Sequence, residues 1–453
     1  MTSSGRSSVQ SQSHGSGWLP TSRFLGWFAL GVAVTGAGAI FGIAFLCAIL
    51  YYSGLMVVTT REALTLRSVG HLMITRESDP FFELGEEHLI HLSAKSNYDG
   101  NLTLTLKDDI PTSFHTNEGE ISFSLSKRRS GTATYYIYPN QRGLHRFGNI
   151  HLRITGPWGF IQRQQRADMA EDKRVYPLLK EVRRVRGGVY RKRTDIEGTY
   201  RRKGIGQSLE YSHIREYVQG DDPRWINWKA TARLNKPAVN VQRPEQGQHV
   251  VIFLDCGRVM GARDRVKTRL DLAIEGALAF AAAALTRGDQ VGLIAFSNRI
   301  TSWVPSGKGD SQLKRLIEAM AGLEAEYVES AYRVAMEHLA THYKRRALVA
   351  VFTDAGNLTF AEELAQQITV LRRRHLILTV TMQDPRLQQE IDKYPHQEDD
   401  VFRKAVVEGM MIERHERLHH LRRQGVIVLD VPPGQLSTSA IHTYIDLKNR
   451  SLL

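Results

Sequence analysis

The chain has 453 residues, which is too long for one ordinary domain and predicts two to four of them. Its apolar fraction of 42% is sufficient for sizeable cores, and its net charge of +13 favours acidic partners such as nucleic acid, anionic lipid or an acidic protein surface. The two cysteines, Cys47 and Cys256, are not in a CxxC motif, so they indicate neither a disulfide framework nor a cysteine-based zinc site.

The chain begins with a polar segment followed by a long apolar run. Residues 1–22 are rich in Ser, Gly and Gln, so we predict a disordered tail. Residues 23–59 are predicted to cross a membrane, because Phe24 to Val58 contains no charged residue. As one helix this run would extend ~52 Å, against a hydrocarbon core of ~30 Å. We therefore favour a hairpin that breaks near Thr35 to Gly38 over one tilted helix.

The residues that flank the apolar run indicate whether it is cleaved and how it is oriented in the membrane. A cleaved signal peptide is disfavoured, because its apolar core would be shorter and a small-residue cleavage site would follow. Arg6 and Arg23 precede the run, and Arg61, Arg67 and Arg76 follow it. Basic residues on both flanks predict that both ends lie in the cytoplasm, together with the large C-terminal part.

A β-rich region and a basic region follow. Residues 64–176 contain short segments of alternating polarity separated by turn residues, which predicts a β-sandwich domain. Residues 177–248 form a predicted connector, and cations are dense between Asp172 and Lys203. This charge is typical of a solvated linker, of contact with anionic lipid or of docking to an acidic protein. Nucleic acid is not expected, because no aromatic stacking platform accompanies the charge.

From His249 to the C-terminus, apolar strands alternate with helices. Five strands are predicted, beginning with the segment HVVIFLDC and ending with VIVLDV. Strands separated by helices predict an α/β doubly wound parallel sheet in residues 249–453. Ligand sites in such sheets lie at the carboxyl ends of the strands.

The segment between the basic region and this sheet carries a dense motif. It contains Arg-Glu-Tyr, then a Gly-Asp-Asp-Pro-Arg turn, then Ile-Asn-Trp-Lys and Ala-Arg; the residues singled out are Glu210, Arg215, Glu216, Tyr217, Gly220, Asp221, Asp222, Arg224, Trp228, Lys229 and Arg233. This pattern resembles the signature of the DUF58 family, and the apolar N-terminal run and the β-rich region also look like that family.

The resemblance implies a bacterial protein of the inner (cytoplasmic) membrane with a von Willebrand factor A-like C-terminal domain. It also implies a partner, an AAA+ ATPase of the MoxR type, for which the chain would act as an adaptor. From the residues alone, the signature segment is either a network that clamps the connector to the C-terminal domain or a partner-docking surface, since Trp and Arg are typical interface anchors. Catalysis is disfavoured, because no nucleophile–base pair is apparent.

A degenerate metal site is also considered. In metal-binding A domains, the first strand is followed by a motif that looks like Asp-x-Ser-x-Ser. Here Asp255 matches the aspartate, but Gly257 and Val259 stand at the two serine positions, so both hydroxyl ligands are missing. Asp354 ends a later strand, and the two carboxylates would suit Mg²⁺. The alternative is that both are strand-end residues satisfied by the protein, with Arg258 as a fixed positive charge in place of the cation.

The segment HERLH, from His415 to His419, matches the HExxH pattern of zinc hydrolases, with Glu416 as the base. Its surroundings are strongly cationic and a third ligand is not evident, so a solvated helix face is favoured.

The sequence therefore predicts a non-catalytic, membrane-anchored adaptor without a cofactor. The alternatives are a magnesium-dependent ligand-binding A domain, a zinc hydrolase, and a lipid- or nucleic-acid-binding protein that works through residues 173–203.

Overall fold

The structure is a computed structural model that describes residues 7–98, 100–125, 130–188, 209–218, 225–244, 247–264, 266–354 and 371–450. The chain divides into two compact units, Met1–Tyr176 and Pro177–Leu453. We call them the N-terminal unit and the C-terminal unit.

The N-terminal unit begins with a strand where the sequence predicts a disordered tail. Strand β1 (Ser7–Pro20) pairs antiparallel with β2 (Met73–Ser78) on one side and with β11 (Ile161–Ala167) on the other. Ser13 is fully buried, and its hydroxyl donates to Gln165 and accepts from the Leu72 amide. The prediction of disorder was wrong from Ser7 onwards, because backbone pairing inside a sheet orders a segment that has few apolar side chains of its own.

Two apolar helices follow, α1 (Ser22–Ile40) and α2 (Ala44–Ser68), and both are long and apolar enough to cross a membrane. The chain turns at Phe41 to Ile43, where Gly42 has φ +73°, and not near Thr35 to Gly38 as predicted. Gly31 and Gly38 are instead buried against Tyr51 and Cys47 of α2. These glycines serve close helix packing and do not break the helix.

The remaining strands complete two sheets, in which the described pairs are antiparallel except for β3 with β12. They are β3 (Phe82–Glu83), β4 (His88–Lys95), β5 (Leu102–Asp108), β6 (Phe114–Thr116), β7 (Ile121–Leu125), β8 (Ser130–Pro139), β9 (Gly143–Phe147), β10 (Ile150–Thr155) and β12 (Glu171–Tyr176). Within the described residues, one sheet has the order β6-β8-β4-β2-β1-β11-β10-β5-β7, and a smaller one has the order β3-β12-β9. The larger sheet curls, since Phe123 of β7 lies against Gly131 of β8. A single curled sheet therefore forms most of what the sequence predicts as a sandwich.

The C-terminal unit contains a mostly parallel sheet. Its strands are β15 (His249–Asp255), β18 (Gln290–Phe296), β19 (Ile300–Gly307), β20 (Ala347–Phe352), β21 (Leu376–Met382) and β22 (Ile427–Val431). A separate short pair, β16 (Arg263–Asp264) with β17 (Lys267–Thr268), follows β15 in the chain. In the described part of the unit the order is β19-β18-β15-β20-β21-β22, with only β19 antiparallel to its neighbour. The five predicted strands are parallel. The edge strand β19 was missed because its apolar residues Ile300, Trp303 and Val304 do not alternate regularly with polar ones, and because it contains Pro305.

Helices cover both faces of this sheet. They are α5 (Arg269–Thr286), α6 (Gly309–Ala321), α7 (Tyr332–His342), α8 (Pro385–Asp392), α9 (Glu398–Arg423) and α10 (Leu436–Asn449). Residues of α5, α6 and α10 share one core cluster, and residues of α7 and α9 share the cluster on the other face. The helix predicted between β20 and β21 lies mostly outside the described residues.

Three further elements precede the parallel sheet: α3 (Lys180–Arg186), the strand pair β13 (Leu209–Glu216) and β14 (Ala238–Pro244), and the short helix α4 (Trp228–Leu234) between these strands. Val182 and Val185 of α3 are buried in the core beside α5. This part of the predicted connector is therefore folded into the C-terminal unit, while Arg191, Lys192 and Arg193 lie outside the described residues.

The helical hairpin is attached to the β-sheets by a buried carboxylate. Glu62 of α2 is fully buried and accepts hydrogen bonds from the amides of Trp158, Gly159, Phe160 and Ile161, at 3.1, 2.7, 2.8 and 3.2 Å. A Cβ at Gly156 would lie 2.4 Å from the carboxylate, so only glycine leaves room for it. The loop Gly156 to Phe160 is thus shaped around the side chain of α2.

We expect Glu62→Ala to expose the amides of Trp158 to Ile161 to solvent exchange. The substitution keeps a good helix former but leaves four amide donors, one buried and three partly buried, without their acceptor, at a cost of about 3 kcal/mol. Hydrogen exchange of these amides, followed by mass spectrometry on the detergent-solubilised chain, should accelerate about a hundredfold.

The matched control is Glu118→Ala, because Glu118 is exposed in the turn before β7. Unchanged exchange in Glu62→Ala would show that the carboxylate does not hold the loop.

Candidate functional site

The carboxyl ends of the parallel strands bring the predicted acidic residues to one edge of the sheet. Asp255 ends β15, and its neighbour Leu254 pairs with Phe352 of β20. Thr353 and Asp354 follow β20 directly. Asp255 and Asp354 are both buried. This is the edge at which ligand sites form in parallel sheets.

Asp255 is saturated by donors from the protein. Its Oδ1 accepts from the Gly257 amide at 2.9 Å and from the Ser330 hydroxyl at 2.5 Å. Its Oδ2 lies 2.5 Å from the Tyr332 hydroxyl and 2.7 Å from that of Thr353. These two hydroxyls are also 2.6 Å apart, so the three oxygens form a closed network. The carboxylate is satisfied by amide and hydroxyl donors, as one of the two sequence-based interpretations expects.

The loss of the first hydroxyl position has a structural explanation. A Cβ at Gly257 would lie 2.0 Å from the Ser330 hydroxyl. Ser330, which arrives from the loop before α7, therefore fills the space that a side chain at position 257 would need. No local pattern in the sequence links Ser330 to Asp255, which lies 75 residues earlier, so this contact is visible only in the structure.

Asp354 faces two guanidinium groups. One of its carboxylate oxygens pairs with Arg269 at the start of α5, and the other is 3.1 Å from Nη1 of Arg414 in α9. Arg414 also donates to Asp430, at 2.7 Å, and Arg269 to Asp384, at 2.9 Å. Burial lowers the pKa of the Arg269 guanidinium, and the charge of Asp384 opposes that shift. Arginine nevertheless stays charged in proteins, so this is a fixed ion cluster of two cations and three anions.

This arrangement does not fit a divalent cation between Asp255 and Asp354. Protein donors occupy the first carboxylate, and two guanidinium charges already neutralise the second. Arg258, which the sequence suggested as the fixed positive charge, instead pairs with Glu329 at an exposed position. The fixed positive charges beside Asp354 are those of Arg269 and Arg414. Among the described residues, no three His, Cys, Asp or Glu side chains are grouped as metal ligands.

The HExxH segment lies on α9, one residue beyond Arg414. His415, Glu416 and His419 are all exposed, whereas the buried side of this part of the helix is formed by Leu418 and Leu421. His415 borders an open cleft of about 450 Å³ that is also lined by Asp384 and Asp430. The geometry matches the solvated helix face that the sequence favours.

The signature segment forms a strand pair with a short helix. Arg215 and Glu216 lie near the end of β13, and Glu216 forms an exposed ion pair with Lys236 at 2.8 Å. The Tyr217 amide donates to the carbonyl of Pro237, which extends the pairing. Glu210 lies in β13 opposite Arg243. Gly220, Asp221, Asp222 and Arg224 lie outside the described residues.

Helix α4 is held firmly, although most of its side chains face outward. Asn227 caps it by accepting from the Ala230 amide at 3.0 Å, and its side chain also donates to Asn240 of β14 at 2.9 Å. Thr231 accepts from the Ala238 amide, at 3.0 Å. The helix is thereby fixed against β14 through polar contacts and the buried Ala230.

The outward face of this segment is partly apolar. Trp228 is 72% exposed, and Leu234 and Val218 are exposed to about the same degree. Lys229 and Arg233 are exposed beside them. The sequence singled out Trp228, Lys229 and Arg233 but missed Leu234 and Val218, because two separate aliphatic residues in a mixed segment give no periodic signal.

The ion cluster yields a stability prediction. Asp354→Asn keeps the shape of the side chain but leaves Arg269 and Arg414 facing each other without the shared anion. We expect the C-terminal unit to lose about 3 kcal/mol of stability, seen as a lower unfolding temperature of the solubilised chain in calorimetry.

Asp446→Asn is the matched control, because Asp446 is exposed and pairs with Arg450 one helical turn away. The measurement is repeated with excess magnesium and with EDTA. Stabilisation of the parent chain by magnesium that disappears in Asp354→Asn would contradict the ion cluster and favour a metal site.

In the comparisons with known proteins, a family match covers most of the signature segment and every described strand of the parallel sheet except β22. The family described as "Protein of unknown function DUF58" matches residues 213–393. An uncharacterized protein of Mycobacterium tuberculosis is 22% identical over 184 residues, which is 40% of this chain and 57% of that protein. A counterpart in Mycobacterium bovis matches equally. The match thus spans little more than half the length of these relatives.

Solved structures show only distant likenesses. The conserved hypothetical protein BatB from Bacteroides thetaiotaomicron is 16% identical, with a TM-score of 0.32 over 46% of this chain and 100% of its own. The proximal thread matrix protein 1 of the mussel byssus is 10% identical, with a TM-score of 0.27 over 45% of this chain and 46% of its own. Neither score is high enough to carry an argument, so the similarity to known proteins rests on the DUF58 match of residues 213–393.

Proposed function

We propose that the chain is a non-catalytic, membrane-anchored adaptor whose signature segment binds a protein partner. The observation that carries this proposal is the exposed Trp228 on a helix that polar contacts hold rigid. By its resemblance to the DUF58 family, the partner is an AAA+ ATPase of the MoxR type. The C-terminal unit is then a von Willebrand factor A-like domain that works without a metal.

An exposed tryptophan on an ordered element is typical of a binding hot spot. Burying its large ring contributes strongly to association, and little conformational entropy is lost when the helix beneath it is already fixed. Leu234 and Val218 extend the apolar surface, and Lys229 and Arg233 add positive charge. These features favour a partner that offers an apolar pocket with acidic residues at its rim.

The carboxyl edge of the parallel sheet supports a metal-independent mode of binding. In this proposal, Arg269 and Arg414 supply the positive charge that a cation would otherwise provide beside Asp354. Because both are anchored by further carboxylates, the edge is rigid in the absence of ligand. The domain then acts as a fixed support for the signature segment.

Strand pairing argues for an even number of membrane crossings. The hairpin lies between β1 and β2, and these strands are neighbours in one sheet. The segment before the hairpin and the segment after it must therefore lie on the same side of the membrane. Arg23, Arg61 and Arg67 lie at this end of the hairpin. By the positive-inside tendency, both units lie in the cytoplasm of a bacterium, at its inner membrane.

We expect Trp228→Ala to weaken binding of a MoxR-type AAA+ ATPase by about tenfold or more, because a central aromatic anchor is removed. Binding is measured by biolayer interferometry with the full chain held in nanodiscs and the ATPase of the same organism in solution. The unfolding temperature should not change, since the side chain makes few contacts within the chain.

Trp303→Ala is the matched control, since Trp303 is a partly exposed tryptophan of β19 in the same unit. If the parent chain and Trp228→Ala bind the ATPase with equal affinity, Trp228 does not take part in docking. Failure of the parent chain to bind the ATPase at all would overturn the choice of partner.

The topology is tested by single cysteines in a chain that carries Cys47→Ala and Cys256→Ala. A cysteine at the partly exposed Ser11 and one at the exposed Leu144 should both be protected from an impermeant maleimide in whole cells and labelled after lysis, because both ends of the hairpin are cytoplasmic in this proposal.

A cysteine at Phe41, in the turn of the hairpin, is the control and should be labelled in intact cells. Labelling of position 11 but not 144 before lysis would contradict the paired strands and support a single crossing.

A further inference from the structure

We propose that the loop Gly156 to Phe160, which joins β10 to β11, is a second membrane-contacting element that lies in the lipid headgroup layer. The inference rests on the proposed membrane anchoring and adds a segment far from the hairpin in sequence. The occupant of its surface is the phospholipid headgroup region of the same bilayer.

First, the lengths of the two helices indicate where the hairpin leaves the hydrocarbon core of the bilayer. Helix α1 has 19 residues and therefore extends ~28 Å, close to the ~30 Å of a hydrocarbon core. Along α2, the rise from Ala44 at the turn to Glu62 is ~27 Å, and Arg61 and Glu62 are the first charged residues after the turn. The start of α1 and Glu62 therefore lie at the same depth, one hydrocarbon thickness from the turn.

The second step is that the loop is bound at this depth. Its amides from Trp158 to Phe160 donate to Glu62, and the hydroxyl of Thr21, which caps α1, donates to the carbonyl of Gly159 at 2.5 Å. The Thr21 amide donates to the carbonyl of Phe160, at 3.0 Å. The loop is thus attached to both helices of the hairpin where they leave the hydrocarbon.

The third step is the chemistry that the loop and its surroundings expose. Trp18, Trp27 and Trp158 come from β1, α1 and the loop, and each is about half exposed. The ring of Trp27 meets that of Phe160 edge to face, and the guanidinium of Arg163 lies 5.8 Å from the ring centre of Trp18. Arg23 lies beside Gly159. Tryptophans and arginines collected at one depth are typical of proteins at the headgroup level.

This arrangement has a mechanical consequence. Because Glu62 fixes the loop, and β10 and β11 continue from the loop into the curled sheet, the sheet lies directly against the membrane surface and is not carried on a flexible stalk. The position of the N-terminal unit is then set by two contacts with lipid, the hairpin and the Trp158 loop.

The test uses tryptophan fluorescence of the full chain in nanodiscs that contain phosphatidylcholine and phosphatidylglycerol, with or without bromine on the acyl chains near the headgroup. The fluorescence that is lost in Trp158→Phe represents Trp158, and we expect brominated lipid to quench it about twofold. The fluorescence lost in Trp303→Phe, from a tryptophan of the C-terminal unit, should not be quenched.

Trp27→Phe reports on the hairpin itself and separates the two proposals. If Trp27 is quenched while Trp158 behaves like Trp303, the hairpin is in the bilayer but the loop is not, and this inference is overturned. If neither Trp27 nor Trp158 is quenched, the membrane anchoring also fails. Quenching of both Trp27 and Trp158 supports both proposals.

Discussion

The buried carboxylate of Glu62 is the contact on which the N-terminal unit depends. A charged group without water is tolerated only when hydrogen bonds replace its hydration, and here four consecutive amides of one loop do so. The same contact joins an apolar helix to a sheet that has a core of its own. Thr21, through its bonds to Gly159 and Phe160, and Leu66, which is buried in the core of the sheets, reinforce this attachment. In the proposed membrane anchoring, the depth of the hairpin in lipid then determines the height of the sheet.

The ion cluster around Asp354 has a similar role in the C-terminal unit. Buried ion pairs seldom increase stability when compared with apolar residues of the same shape, but removal of one member is costly, because it leaves an uncompensated charge. Arg269 comes from α5, Arg414 from α9 and Asp384 from the segment after β21, so the cluster determines how helices on opposite faces meet the sheet edge. Such a cluster favours one arrangement of this edge of the sheet.

How much could be predicted from the sequence differs between features. The apolar run and the five parallel strands were predictable, because uncharged or β-branched runs dominate their segments. The turn of the hairpin was placed several residues too early, since the glycines near Thr35 were interpreted as a break although Gly38 is used for packing. The strand β1 was missed because its order comes from neighbours that follow more than fifty residues later. Most partners of Glu62, Asp255 and Asp354 were missed for the same reason: apart from the Gly257 amide, each contact joins residues that are distant in sequence, and no local pattern records it.

The two units differ in how they present tryptophan, and this difference bears on function. At the base of the hairpin, tryptophans from three segments lie at one depth beside arginines, which is the distribution that a bilayer surface selects. In the signature segment, Trp228 stands at the start of a capped helix with two aliphatic residues exposed nearby, which suits a shaped protein pocket better than a fluid lipid layer. A helix of seven residues is too short to lie along a membrane by itself, yet it is well suited to insert one ring into a partner. In the two proposals, the same residue type therefore supports anchoring in one unit and recognition in the other.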